Sequence, residues 1–164
     1  MGGGVIKRVN RILSNPLFMQ YMEINQAAEA GSAFCKHDVS HMLDVARIAQ
    51  LYNIKKRLGF SIELIYAAAL LHDITKGLQI MEGVPHNESA IAPSTKILQD
   101  AEFCTDEVEC VIAAILNHRK GPKKSTKFYA FSRLIYKADK LSRNCFLCKC
   151  TSCDWSHKNS KLKV

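Results

Sequence analysis

His72 and Asp73 stand side by side in the stretch YAAALLHDITKG, which runs from Tyr66 to Gly77. An imidazole and a carboxylate at the end of a buried apolar helix are costly unless they are bonded or coordinated. Both are ligand types for divalent metals, and a metal held there would polarise a substrate or make water nucleophilic. Successive residues lie about 100° apart around a helix, so both side chains can reach one ion placed between them. Lys76 follows within one turn. Its plain role is to favour the helix dipole, and its chemical one is to meet a substrate anion. Gly77 reads as the helix stop, with a loop from there to Pro85.

Further imidazoles and one carboxylate fall where they can join this pair. His41 sits at the edge of the helical stripe Met42, Val45, Ala46, Ala49 and Tyr52, and His37 lies four residues before it. His86 opens the segment HNESAIAPSTKILQDA, His118 closes the helix that precedes Arg119 to Pro122, and Asp139 lies in an apolar turn beside Ala138. Each has a plainer reading alone: a core-edge histidine, an exposed one, a dipole-favouring one, and a helical ion pair between Asp139 and Arg143. Taken together, they read most economically as one metal site built by separate helices.

The elements that must position these residues are helical. A short amphipathic helix is expected from Val5 to Leu13, then one opened by Pro16 and running to Ala30, the latter carrying no obvious chemistry. Ser61 can cap the helix that ends in His72-Asp73, and Ala67, Ala68 and Ala69 would let neighbours approach closely. Pro93 should kink or split the helix after His86. Thr105 can cap the next one, whose apolar face is Val108, Val111, Ile112 and Ile115. The last long helix is expected over roughly Thr126 to Phe146, with Phe128, Phe131, Ile135, Ala138 and Leu141 as its stripe.

At 164 residues and 48% apolar content, the chain fits one globular all-α domain, a single helical bundle. The expected division is N-terminal helices over 1–30, a core over 31–146 and a Cys-rich basic tail over 147–164. No apolar run reaches the ~20 residues of a membrane span, and the N-terminus has neither a signal peptide nor a complete myristoylation pattern, so a cytoplasmic protein is expected. The seven cysteines then read as reduced thiols. Charge is uneven: residues 1–116 hold 10 basic and 13 acidic residues, and residues 117–164 hold 13 and 2. That basic end can attract phosphate-bearing molecules, although no base-reading motif points to nucleic acid. Cys145, Cys148, Cys150 and Cys153 form a run in which a single residue separates the middle two. That spacing makes a tetrahedral zinc site from the run alone awkward; thiols packed around Trp155 are the plainer reading.

The ordered set His41 in HMLDVARIA, His72-Asp73 in LLHDITK and Asp139 in YKADKLSR resembles the signature of the HD-domain superfamily of metal-dependent phosphohydrolases. The resemblance covers roughly Cys35 to Arg143 and implies an all-α fold of the HD-domain type. It implies a metal held by His41, His72, Asp73 and Asp139. His86 in PHNESA and His118 in ILNHR are similar to the extra histidines of a small bacterial branch that cleaves diadenosine tetraphosphate symmetrically, which implies a second metal with Asp73 bridging. GPKKSTKFYAFS and the Cys-rich end depart from that branch, so its substrate does not carry over.

The implied cofactor is one or two divalent transition metal ions (Fe, Mn, Co, Ni or Zn). The implied activity is hydrolysis of a phosphomonoester or phosphoanhydride in a nucleotide-like substrate by metal-activated water. Asp73 and Lys76 are the catalytic candidates, and His37, Lys76, Arg119, Lys140 and Arg143 the substrate-binding ones. The alternative is a non-catalytic HD-fold module that binds a nucleotide or regulates a partner. A zinc-protease reading of His37-Asp38-Val39-Ser40-His41 is weaker, because Asp stands where that motif has Glu and the remaining ligand types go unexplained.

Overall fold

The helix that carries the His-Asp pair is apolar on every side, so it can only be central. In the computed structural model, which describes residues 6–32, 35–148 and 153, this is α4 (Ile62–Leu71), and Ile65, Ala67, Ala68, Ala69, Leu70 and Leu71 are all fully buried. Ser61 caps it by accepting from Leu64 N–H at 3.2 Å. Its small residues admit α3 (Val39–Lys56) and α8 (Thr105–Asn117) on its flanks, with α1 (Lys7–Leu13) and α9 (Tyr129–Leu141) completing the surround. Outside that layer, α2 (Pro16–Glu29) crosses α5 (Lys76–Glu82), while α6 (His86–Ser89) and α7 (Ile91–Asp100) pack against α8. The described residues contain helices and turns and no strand, so the fold is all-α. None of these helices is long and apolar enough to cross a membrane.

Several boundaries differ from the sequence reading, each for a local reason. Gly77 does not end a helix; it lies buried in the first turn of α5. A Cβ there would stand 2.9 Å from the Ile24 carbonyl oxygen and 3.0 Å from Asn25 Cα, so glycine is what lets α2 and α5 cross. The segment after His86 does split, at Ala90, which leaves Pro93 in the first turn of α7, where its missing N–H is harmless. Cys104 rather than Thr105 caps α8, and its N–H donates to Glu107 Oε2 at 3.0 Å. The last long helix is shorter than expected. It begins at Tyr129 after Phe128, whose φ is 58°, and a separate 3-10 turn (Cys145–Leu147) follows its end at Leu141.

Gly77→Ala would gain helix propensity but must displace the α2 backbone. We expect a net loss of about 1–3 kcal/mol, seen as a lower Tm in thermal denaturation; an unchanged or higher Tm would contradict the close crossing.

Candidate metal centre

Five helix ends converge beneath α4. His41 lies in the first turn of α3, where its N–H donates at 2.9 Å to the capping carboxylate of Asp38. His72 is the C-cap of α4, and Asp73 follows it in the turn. His86 is the first residue of α6, His118 the C-cap of α8, and Asp139 stands in the last turn of α9. His72, Asp73, His86, His118 and Asp139 are all at most 4% exposed.

The backbone sets the ring orientations. At the ends of α4 and α8 the same device recurs. His72 Nδ1–H donates to the Ala69 carbonyl at 2.7 Å, and His118 Nδ1–H donates to the Ile115 carbonyl at 2.6 Å. Each uses a carbonyl that the ending helix leaves without a partner. His86 Nδ1–H donates to Gln79 Oε1, which also accepts from the His86 backbone N–H at 3.3 Å. Since a carbonyl oxygen can only accept, these bonds fix the tautomer and turn Nε2 toward the centre.

Asp73 divides the centre in two. Its Oδ2 is 3.0 Å from His72 Nε2 and 3.7 Å from His41 Nε2, and Asp139 Oδ1 lies 3.8 Å from the first of these nitrogens and 3.7 Å from the second. Its Oδ1 faces the other way, 2.9 Å from His86 Nε2 and 3.3 Å from His118 Nε2. Within each half the donor atoms lie within 4.8 Å of one another: His41, His72, Asp73 and Asp139 in one, and Asp73, His86 and His118 in the other. Either set can hold a divalent metal ion. The fit is supported by buried atoms without hydrogen-bond partners, namely His41 Nε2, His72 Nε2 and Asp73 Oδ2. It is supported as well by the 2.9 Å approach of His86 Nε2 to His118 Nε2, two nitrogens whose lone pairs face each other and call for a cation between them.

Electrostatics tell the same story. Burial would lower the His72 pKa, but the charges of Asp73 and Asp139 prevail and push it up to about 10. Burial prevails at His86, pushed down to about 4, and at His41, also lowered. Asp73 and Asp139 run against their own burial; His72 is the main partner holding both well below the usual carboxylate range. In the metal-free centre, a proton on His72 thus stands in for a cation.

The remaining sequence candidates line the same cavity of about 750 Å³: His37, Lys76, Arg119, Lys140 and Arg143. Lys76 carries a pKa lowered by burial, which Asp73 partly offsets. Lys140 Nζ and Arg143 Nη2 pair with Asp139 at 2.5 and 3.1 Å, so both are engaged by the centre itself. His37 precedes α3 rather than sharing its face, which removes the helical spacing the zinc-protease reading needs. Its Nδ1 lies 2.5 Å from Glu29 Oε1, and Glu29 Oε2 accepts from the His37 N–H at 2.8 Å. The ring's Nε2 is thereby aimed at Asp73 Oδ2, 3.9 Å away.

Sequence reasoning missed the supports. Glu29 and Asn25 belong to α2, which had shown no chemistry. Asn25 Nδ2 donates to the Asp73 carbonyl at 3.0 Å, and its Oδ1 accepts from Gly77 N–H at 2.6 Å. Thr75 Oγ1 donates to the His86 carbonyl at 2.9 Å. Asn25 and Glu29 lie one helical turn apart and both are buried, which nothing in the sequence of α2 announces.

The HD domain family profile matches residues 38–144. The chain belongs to the HD domain family. An uncharacterized protein of Clostridium beijerinckii is 42% identical over 158 residues, covering 96% of this chain and 98% of that relative. The crystal structure of a predicted HD superfamily hydrolase from an uncultured Thermotogales bacterium is similar at a TM-score of 0.57 and 25% identity, over 77% of this HD-domain chain and 68% of the other.

Because a ligating imidazole is neutral, loading the centre must expel the His72 proton. Metal affinity should therefore rise with pH, by roughly tenfold per unit from neutrality toward about 10 for one displaced proton. Without metal the sign reverses for stability. His72 contributes fully below its ordinary value of 6.5, and that contribution is lost as pH rises through about 10. Calorimetry in buffers of differing ionisation enthalpy would show about one proton released when the donor set containing His72 takes up its ion; no release would contradict this assignment.

Proposed function

We propose that this HD-domain protein is a metal-dependent phosphohydrolase with a binuclear centre, acting on a phosphomonoester or phosphoanhydride of a nucleotide-like molecule. The observation that carries the reading is the division of Asp73: one oxygen faces each donor set, at the floor of a cavity lined by Lys76, Arg119, Lys140 and Arg143. When bound, divalent cations supply Lewis acidity: they make water nucleophilic near neutral pH and neutralise charge growing on phosphoryl oxygens.

The chain's residues do the rest by position. Asp73 and Asp139 provide the negative charge that retains cations, and the three Nδ1–H bonds keep His72, His86 and His118 turned inward. Lys76 reaches into the cavity from the first turn of α5 and binds a phosphoryl oxygen, with Arg119 beside it. Such groups matter because phosphoryl transfer depends on placement and charge stabilisation more than on covalent chemistry. His37, steadied by Glu29, directs Nε2 at the same space and orients water or a substrate oxygen.

A second cavity of about 860 Å³ shares Glu29 and His37 with the first and mixes apolar residues (Phe18, Met22) with charged ones (Glu23, Lys36).

The test is turnover on a panel of phosphomonoesters, nucleotides and dinucleoside polyphosphates after metal loading. Asp73→Ala should abolish activity and bound metal together, whereas full activity in that variant would refute the mechanism. Lys76→Ala should keep its metal and lose about 10²-fold in kcat. Tight binding of nucleotides with no turnover on any of them would favour the regulatory alternative.

A further inference from the structure

Residues 117–148 hold nine Lys or Arg residues and one acidic residue, Asp139, which is buried in the His-Asp centre. Lys140 and Arg143 pair with Asp139, and Glu109 takes up Lys127 at 2.5 Å. Arg119, Lys120, Lys123, Lys124, Arg133 and Lys137 are exposed, and none of them has an ion-pair partner among the described residues.

The fold gathers these cations. The connection from α8 to α9 crosses close over Tyr136: a Cβ at Gly121 would stand 3.4 Å from that ring. Arg119 and Lys120 come just before this contact, and Lys123 and Lys124 just after it. On α9 itself, Arg133, Lys137 and Lys140 fall at i, i+4 and i+7, which is one helical face. Lys140 Nζ lies 5.5 Å from the centre of the Tyr136 ring. Arg133 Cζ lies 5.8 Å from that of Tyr129, and Arg133 Nη1 donates to the Tyr129 hydroxyl at 2.8 Å. Arg119, Lys120 and Lys140 also line the cavity above the His-Asp centre. A basic ridge thus runs along α9 and the connection before it to the cavity mouth.

We propose that this ridge binds single-stranded nucleic acid, holding the phosphate backbone along α9 and residues 119–124 with one end of the strand at the cavity.

A row of cations with no facing carboxylates is complemented by a row of anions. Backbone phosphates provide one, and neutralising them releases condensed counterions, which supplies affinity without regard to sequence. The lack of a base-reading motif is no obstacle, because phosphate contacts position a strand without reading it. Tyr129, Tyr136 and Arg133 add planar groups of the kind that unpaired bases stack on. The ridge runs into a cavity, which a strand end can enter and the flank of a duplex or the face of a bilayer cannot. Leu147, 76% exposed beyond the end of α9, is a feature that a membrane surface would also use, so vesicles form one arm of the test. This binding goes beyond the proposed hydrolysis and does not require it.

The test is fluorescence anisotropy of a labelled oligothymidylate with the full-length protein at several salt concentrations. Wild type should bind, and its affinity should fall on a log–log plot with a slope of roughly −0.7 for each phosphate contacted. Arg133→Ala combined with Lys137→Ala should weaken binding about tenfold at low salt and make that slope shallower by roughly 1.4. Lys123→Ala combined with Lys124→Ala should do the same. All four side chains are exposed, so Tm and metal content should not move in either double variant. Chelator-treated wild type should still bind the oligomer, which tells a failed metal site from a failed ridge. No anisotropy change at low salt, a salt slope that neither double variant alters, tighter binding of the matching duplex, or stronger binding to phosphatidylglycerol vesicles than to the oligomer would each overturn the proposal.

Discussion

A buried carboxylate facing imidazoles on both of its edges is the constraint on which the rest of this molecule depends. Asp73 is 2% exposed, so bulk water scarcely reaches its carboxylate. Its negative charge must be met locally, and the fold meets it with His72 and His41 at one oxygen and His86 and His118 at the other. Without metal, Asp73 and Asp139 push the His72 pKa up to about 10 against its burial, whereas at His86 burial prevails and pushes it down to about 4. One carboxylate with imidazoles on both faces belongs to two donor sets, each able to hold a divalent ion, and Lys and Arg side chains line the space above it.

The surrounding helices serve this arrangement chiefly through their ends. Helix C-termini offer carbonyls that lack intrahelical partners, and α4 and α8 each spend one on a histidine Nδ1–H. The alanine-rich face of α4 lets its neighbours come close enough for five termini to converge. Behind the centre, α2 acts as a brace: Asn25 ties the Asp73 turn to the start of α5, and Glu29 holds His37. Gly77 is the contact that allows the brace to sit so near.

The helical architecture and the His and Asp residues that converge were legible in the sequence, because such side chains are conspicuous when embedded in apolar helical patterns. His72 and Asp73 at the end of YAAALLHD needed no neighbour to attract notice. The bracing residues were not legible. Asn25 and Glu29 look like ordinary surface positions until α5 is seen to cross them, and Gly77 carries the same symbol whether it ends a helix or admits another backbone. The pairing of Lys140 and Arg143 with Asp139 was half visible, since the i,i+4 spacing of Arg143 was plain and the contact from the adjacent Lys140 was not.

The central claim is that Asp73 bridges two metal sites, and anomalous X-ray scattering from crystals grown with manganese tests it most directly. The account predicts two peaks flanking Asp73, one contacted by His41, His72 and Asp139 and the other by His86 and His118. A single peak on the His72 side, with His86 and His118 touching no ion, would contradict it.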